Sequence, residues 1–274
     1  MLAGASSIAL GFLFVAFVVL SFLIYLALTW QVAIRRSRTE GAVGVAAPKP
    51  FGLPEALLAM ALVLFLLTNV AGQFARTYQP VQLTGRALVA NFLFTAFVVC
   101  FVAAFLKLRG LDVDSLAGFS KISLKRALST GVILILAAWP LIVFAEFVSQ
   151  ALGGGSSKQE IVELFNSSPT IEQRVMIIVL AVVVAPIGEE FVFRFFLYGV
   201  LRRYLGVAIA LVFNSLLFAA AHTHLPSAAP LFVLASCLTL AYEWSGSILV
   251  SMGMHALFNA ANLIFLAFPE LGQQ

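Results

Sequence analysis

The stretch IALGFLFVAFVVLSFLIYLALTW, from Ile8 to Trp30, carries no charged side chain. The hydrocarbon core of a bilayer is roughly 30 Å thick, and an α-helix needs about 20 apolar residues to cross it, so this stretch reads as a membrane span. Runs of the same kind recur at Pro54 to Gly72, Ala87 to Leu106, Ala127 to Val148, Ile171 to Tyr204, Val207 to His222, Pro226 to Trp244 and Ser247 to Phe268. The composition agrees: 62% of the 274 residues are hydrophobic and only 10% are charged, whereas a soluble domain is about a quarter charged. The fold class that follows is all-α, a polytopic transmembrane bundle of about eight helices. No basic stretch precedes the first run, which is too long for a signal-peptide core and is followed by Arg35, Arg36 and Arg38, so it reads as a retained span.

The net charge of +4 does not point to nucleic acid, because the basic residues sit in short connections rather than on one face or tail. Arg35, Arg36, Arg38 and Lys49 fall in one connection, Lys107, Arg109, Lys121, Lys125 and Arg126 two connections later, and Arg202 and Arg203 two later again. Under the positive-inside rule those alternate loops are cytoplasmic, which puts both termini on the outer face. Arg35 to Gly52 reads as a flexible loop, as does the stretch around Gly153, Gly154 and Gly155. Cys100 and Cys237 lie inside apolar runs without a CxxC spacing and read as packing residues.

Three parts emerge: residues 1–148, variable N-terminal spans with basic loops; 149–170, a connection; and 171–268, where the chemistry concentrates. Glu160 to Phe165 in the connection fit a short interfacial helix. Asn166, Ser167 and Ser168 match a glycosylation acceptor, a pattern frequent by chance. Thr170 followed by Gln173 resembles a capping box and marks the start of the next helix.

The fifth run holds Pro186, Gly188, Glu189, Glu190 and Arg194 amid Ile, Val and Phe. Ionisable groups at membrane depth are costly unless paired or facing water. Glu190 and Arg194 are four apart and share a helix face, so they read as an ion pair that holds helices together. Glu189 is turned about 100° away and lacks that partner. A carboxyl so placed is suited to proton transfer.

The sixth run ends in Phe218 and His222, one turn apart on one face, and the eighth carries His255 and Asn259 in the same relation. Leu205 and Gly206 lie about midway between Glu189 and His222, so a turn there between antiparallel helices brings the two level. His224 falls in the exit loop. Each polar group alone would read as an interhelical hydrogen bond. An acid, two imidazoles and a carboxamide on three helices read better as one convergent site.

These residues resemble the membrane-embedded CAAX protease and bacteriocin-processing or immunity family, also called CPBP. Glu189-Glu190-Phe191-Val192-Phe193-Arg194 fits its E-E-x-x-x-R, Phe218 to His222 its F-x-x-x-H, and His255 to Asn259 its H-x-x-x-N, in the family's order over roughly Ile171 to Phe268. The resemblance implies an intramembrane peptidase acting on a membrane-anchored peptide or protein in the lipid bilayer, and from the family's distribution a prokaryotic inner membrane. Glu189 and His222 would activate a water, and His255 and Asn259 would donate to the oxyanion. Glu190, Arg194 and Phe218 would support them.

The family's metalloprotease label leaves zinc open, with Glu189, His222 and His255 as ligands and water in the fourth position. No H-E-x-x-H occurs, and the metal-free glutamate mechanism stands beside it. Two other classes carry charges in helices: a non-catalytic scaffold or immunity protein of the same fold, and a proton-coupled transporter, for which the chain shows no evident inverted repeat.

Overall fold

The computed structural model describes residues 2–41, 51–75, 85–152 and 170–267. Lipid offers no partner for backbone N–H and C=O groups, so a chain of this composition must satisfy them within helices. Among the described residues there is no strand. The helices are α1 (Leu2–Gly41), α2 (Leu53–Ala75), α3 (Gly85–Leu108), a short α4 (Val113–Ala117) and α5 (Leu124–Ala151). A helical run from Ile171 to Ala221 follows, then α8 (Ala228–Ser245) and α9 (Ile248–Ala267).

The 51-residue run is too long for one crossing. It breaks at Gly206, whose φ of 77° and ψ of 174° are not helical; we call its arms α6 (171–205) and α7 (207–221). Glu189 and His222 would lie about 50 Å apart along a straight helix, yet their side chains approach to 4.0 Å. The chain therefore doubles back at Gly206, where the sequence places a turn. With that division and the shorter apolar helix Phe92–Leu108, the six helices among the described residues that are long and apolar enough to span a membrane become the eight segments expected from sequence.

A φ/ψ pair like that of Gly206 is open essentially to glycine alone. Gly206→Ala is expected to cost about 1–3 kcal/mol, read as a lowered thermal midpoint of the protein in detergent. The Cβ itself would meet no neighbour within 4 Å, so a loss of that size isolates backbone strain.

The apolar surface is turned outward, with Phe12, Phe97 and Leu136 each more than 60% exposed, as suits side chains facing lipid. The inner layer is α5 to α9, and α1 and α2 lie against it. Helices pack closely in lipid only where small residues let backbones approach. At Gly131 of α5 a Cβ would sit 3.2 Å from the backbone nitrogen of Met254, so glycine there lets α9 close on α5.

The basic connections do share one face. Arg36 of α1 and Arg202 of α6 both pair with Glu243 at the end of α8, at 3.3 and 2.7 Å. Arg109 pairs with Glu55 at 3.1 Å, and Lys121 lies beside Gly246. The Ser149 hydroxyl donates to the Pro226 carbonyl on the opposite face, where the first helix begins and the last ends.

One boundary differs from the sequence reading. Arg35 and Arg36 are not in a loop, because α1 continues to Gly41. Arg35 donates to the Trp244 carbonyl and lies over the Trp244 ring, and with the Arg36 ion pair this holds the end of α1 against α8. Thr170 caps the next helix as expected, accepting from the Gln173 N–H. The interfacial-helix stretch Glu160 to Phe165, the acceptor pattern at Asn166 and the Gly153 to Gly155 stretch lie outside the described residues.

Candidate active site

The helix that carries Glu189 is not a regular α-helix. It widens into π-turns over Leu180–Val184 and Glu190–Leu197, on either side of Ala185–Glu189. Pro186 explains the first. A proline inside a helix lacks an N–H and crowds the preceding turn, and widening relieves that crowding. In the i→i+5 pattern of the π-turn, the Ala185 N–H reaches the Leu180 carbonyl. The next bond would run from residue 186 to the Ala181 carbonyl, and proline cannot make it. Asn259 of α9 supplies the donor instead, its Nδ2 lying 2.8 Å from the Ala181 oxygen.

That contact is not among the sequence expectations, although a proline at membrane depth signals a carbonyl in need of a partner. It gives Asn259 a structural bond and leaves one of its two amide hydrogens for another acceptor.

The other three residues singled out in the sequence come together. Glu189 Oε2 lies 4.0 Å from His222 Nε2 and 3.8 Å from His255 Nε2. His222 sits at the C-terminal cap of α7. Its Nδ1 is 2.8 Å from the Phe218 carbonyl oxygen, which can only accept. Neutral His222 thus carries its proton on Nδ1 and turns the lone pair of Nε2 toward Glu189. The chain leaves His222 through Thr223, whose positive φ of 52° is rare outside glycine.

His255 is held differently. Its Nδ1 lies 2.9 Å from Glu190 Oε1, and the same oxygen is 3.1 Å from Arg194 Nη1. The expected Glu190–Arg194 pair is present, and it continues into an imidazole from α9. Both charged side chains are fully buried. The guanidinium lies over the Phe218 ring, 4.1 Å from its centre, and a desolvated cation over an aromatic face gains up to about 2 kcal/mol. Phe218 also touches the His222 and His255 rings, at 4.6 and 5.8 Å between centres. One aromatic side chain thus positions three polar ones. His224 stands apart in the exit loop, with Nδ1 2.7 Å from the Ser227 hydroxyl.

Separations of 3.8 and 4.0 Å are too long for direct hydrogen bonds. They suit a shared water: two groups each about 2.8 Å from one oxygen, at a right angle, lie about 4 Å apart. Glu189 Oε2 is buried and has no hydrogen-bond partner in the protein, and such atoms in native proteins are characteristically met by ordered water. With 29% of the Glu189 side chain and 24% of His222 exposed, the site is open on one side.

This geometry sits inside a segment that comparison identifies. Residues 171–261 match the family model described as type II CAAX prenyl endopeptidase Rce1-like. Over this stretch the chain is similar to that family. The match covers about a third of the chain and starts where the sequence resemblance starts, taking in Glu189, Glu190, Arg194, Phe218, His222, His255 and Asn259. No curated protein and no solved structure gave a match.

The Rce1-like segment offers Glu189, His222 and His255 as candidate zinc ligands. Two ligands on a tetrahedral zinc with bonds of about 2.0–2.1 Å lie about 3.3 Å apart. The edges here are 3.8 and 4.0 Å, and among the described residues no group of three or more His, Cys, Asp or Glu is placed to hold a metal ion.

Proposed function

We propose that this protein is an intramembrane endopeptidase that hydrolyses membrane-associated peptides or proteins with a water activated by Glu189 and His222. The observation that carries this reading is the partnerless Oε2 of Glu189, facing the Nε2 atoms of two imidazoles at a spacing that one water fits. The Rce1-like match over the same residues supports it.

Glu189 takes a proton from the water as its oxygen attacks the scissile carbonyl, and His222 Nε2 orients that water through its lone pair. His255 donates from Nδ1 to Glu190, so an Nε2–H donor requires a second proton on the ring. That N–H, with the second amide hydrogen of Asn259, donates to the developing oxyanion. When the C–N bond breaks, Glu189 passes its proton to the departing amine. The water's hydroxyl stays on the new carboxyl group.

An apolar groove of about 820 Å³ runs alongside α7. Ala219, Ala220 and Thr223 line it on either side of His222, with Phe144 and Val148 of α5 and Phe232 of α8 opposite. A groove of that chemistry suits a substrate segment held in the lipid phase.

The test is hydrolysis of fluorogenic membrane-anchored peptides by the purified protein in proteoliposomes, with and without 1,10-phenanthroline. Hydrolysis insensitive to the chelator, with no stoichiometric zinc by elemental analysis, is the expected result. Activity lost with the chelator and restored by zinc would transfer the water from Glu189 and His222 to a metal.

A further inference from the structure

The seam between α6 and α9 is built unevenly. On α9, His255, Asn259 and Leu263 follow at intervals of four and form one stripe toward α6. His255 meets Glu190 at 2.9 Å, Asn259 meets the Ala181 carbonyl at 2.8 Å, and Leu263 packs on Ile177. From Glu190 to Val200 every residue of α6 but Val192 is buried, and this part belongs to the main apolar core. In the arm from 171 to 184 only Ile177 is buried. Ile177 and Leu263 make a small cluster of their own, apart from that core.

The arm joins the buried part where the helix is weakest. The π-turn over Leu180–Val184 and Pro186 interrupt the regular hydrogen-bond ladder, and helices bend at such interruptions. On the site side of the break, a Cβ at Gly188 would overlap the Thr95 methyl of α3, so the helix is held fast there. On the other side there is room to move. An apolar groove of about 470 Å³ lies between the arm, at Val175, Val179 and Val184, and Phe92 of α3. Val175 and Val179 each stand two residues from Ile177, about 200° round the helix, so this groove is on the side of the arm turned from α9.

We propose that the arm 171–184 is a hinged gate, which swings at Leu180–Pro186 away from α9 into that groove and admits a membrane-held substrate segment sideways to Glu189. Its purpose rests on the peptidase reading, whereas the hinge does not. Segments with few buried apolar contacts open locally at the lowest cost. Among the described residues, the Asn259 bond and the Ile177–Leu263 cluster close the seam beyond His255. A peptide in the bilayer reaches a site walled by helices where two of them part. Movement of the arm also releases the Asn259 amide from the Ala181 carbonyl, so the opening that admits substrate frees the donor proposed for the oxyanion.

Two measurements on the whole protein in lipid nanodiscs test this, both in a Cys100→Ser background because Cys100 is exposed and Cys237 buried. Spin-label distances from Val175 on the arm to Leu136 on α5, both outward-facing, should show two populations, with Asn259→Ala favouring the second. The distance from Leu136 to Val212 on α7 should stay single and unchanged. In the second measurement, Ile177→Cys and Leu263→Cys are bridged by a short bis-methanethiosulfonate reagent. Bridging should lower hydrolysis of a membrane-anchored peptide about tenfold, and reductant should restore it. Hydrolysis of a short water-soluble peptide, which enters by the exposed side of Glu189, should not change. One narrow Val175–Leu136 distance that Asn259→Ala leaves in place would overturn the hinge. Bridging that spares the anchored peptide, or slows both peptides alike, would overturn the entry role. Should the wild-type protein hydrolyse neither peptide, the peptidase reading fails and the distances still decide whether the arm moves.

Discussion

Glu189→Gln is expected to lower kcat for membrane-anchored peptides by about 10²–10⁴, the range that a positioned general base contributes, while the protein keeps its helical content and thermal midpoint. Glutamine preserves the shape and one acceptor oxygen but cannot take the proton from water. The expected stability follows from the site itself, because Glu189 Oε2 has no hydrogen bond in the protein for the substitution to break. His222→Ala should give a smaller loss with the same intact fold, since Nε2 orients the water without being the final proton store. A fall in kcat that came with unfolding would instead mark Glu189 as part of the structural charge cluster.

The largest stability effect is expected at Arg194. Arg194→Leu leaves Glu190 fully buried with only the His255 imidazole to oppose its charge. Breaking a buried ion pair from one side costs about 3–5 kcal/mol, a large fraction of the stability of an ordinary domain. The expected reading is a sharp drop in folded, monodisperse protein after detergent extraction. Arg194→Lys should recover only part of it, because an ammonium cannot lay a planar face on Phe218. Replacing both partners, Glu190→Gln with Arg194→Met, should restore extraction and thermal stability, since no uncompensated charge remains. Activity should not return. His255 would keep a hydrogen bond to the carboxamide introduced by Glu190→Gln but lose the charged acceptor opposite its Nδ1. The double variant therefore separates the fold-keeping role of the pair from its role in positioning His255.

Much of this architecture is legible in the sequence because lipid imposes length and polarity on each span. The eight apolar runs, the turn at Gly206 and the shared face of the basic loops all follow from hydropathy, glycine and the placement of Lys and Arg. The meeting of Glu189, His222 and His255 follows from their rarity, since charged and imidazole side chains at membrane depth must find one another or water. What does not follow is the phase of α6. Glu189 and Glu190 keep regular helical dihedrals and so faces about 100° apart, but the π-turn beginning at Glu190 shifts the phase of the residues that follow it. The bond of Asn259 to the Ala181 carbonyl is hidden because it repairs the carbonyl that Pro186 leaves without a donor, and only the π register says which carbonyl that is. The extension of α1 past Arg36 is equally hard to see, because a basic, Gly-containing stretch reads as loop until Glu243 and Trp244 are placed beside it.

Solvent held between Glu189 and two imidazoles is, on this reading, what cleaves a peptide bond inside the bilayer. The most direct measurement incubates membranes containing the wild-type protein or Glu189→Gln in H₂¹⁸O and maps new peptide termini by mass spectrometry. Termini found only with the wild type, each carrying one ¹⁸O in its new carboxyl group, are the predicted result. The same termini in both samples, or none that depend on the wild-type protein, would contradict it.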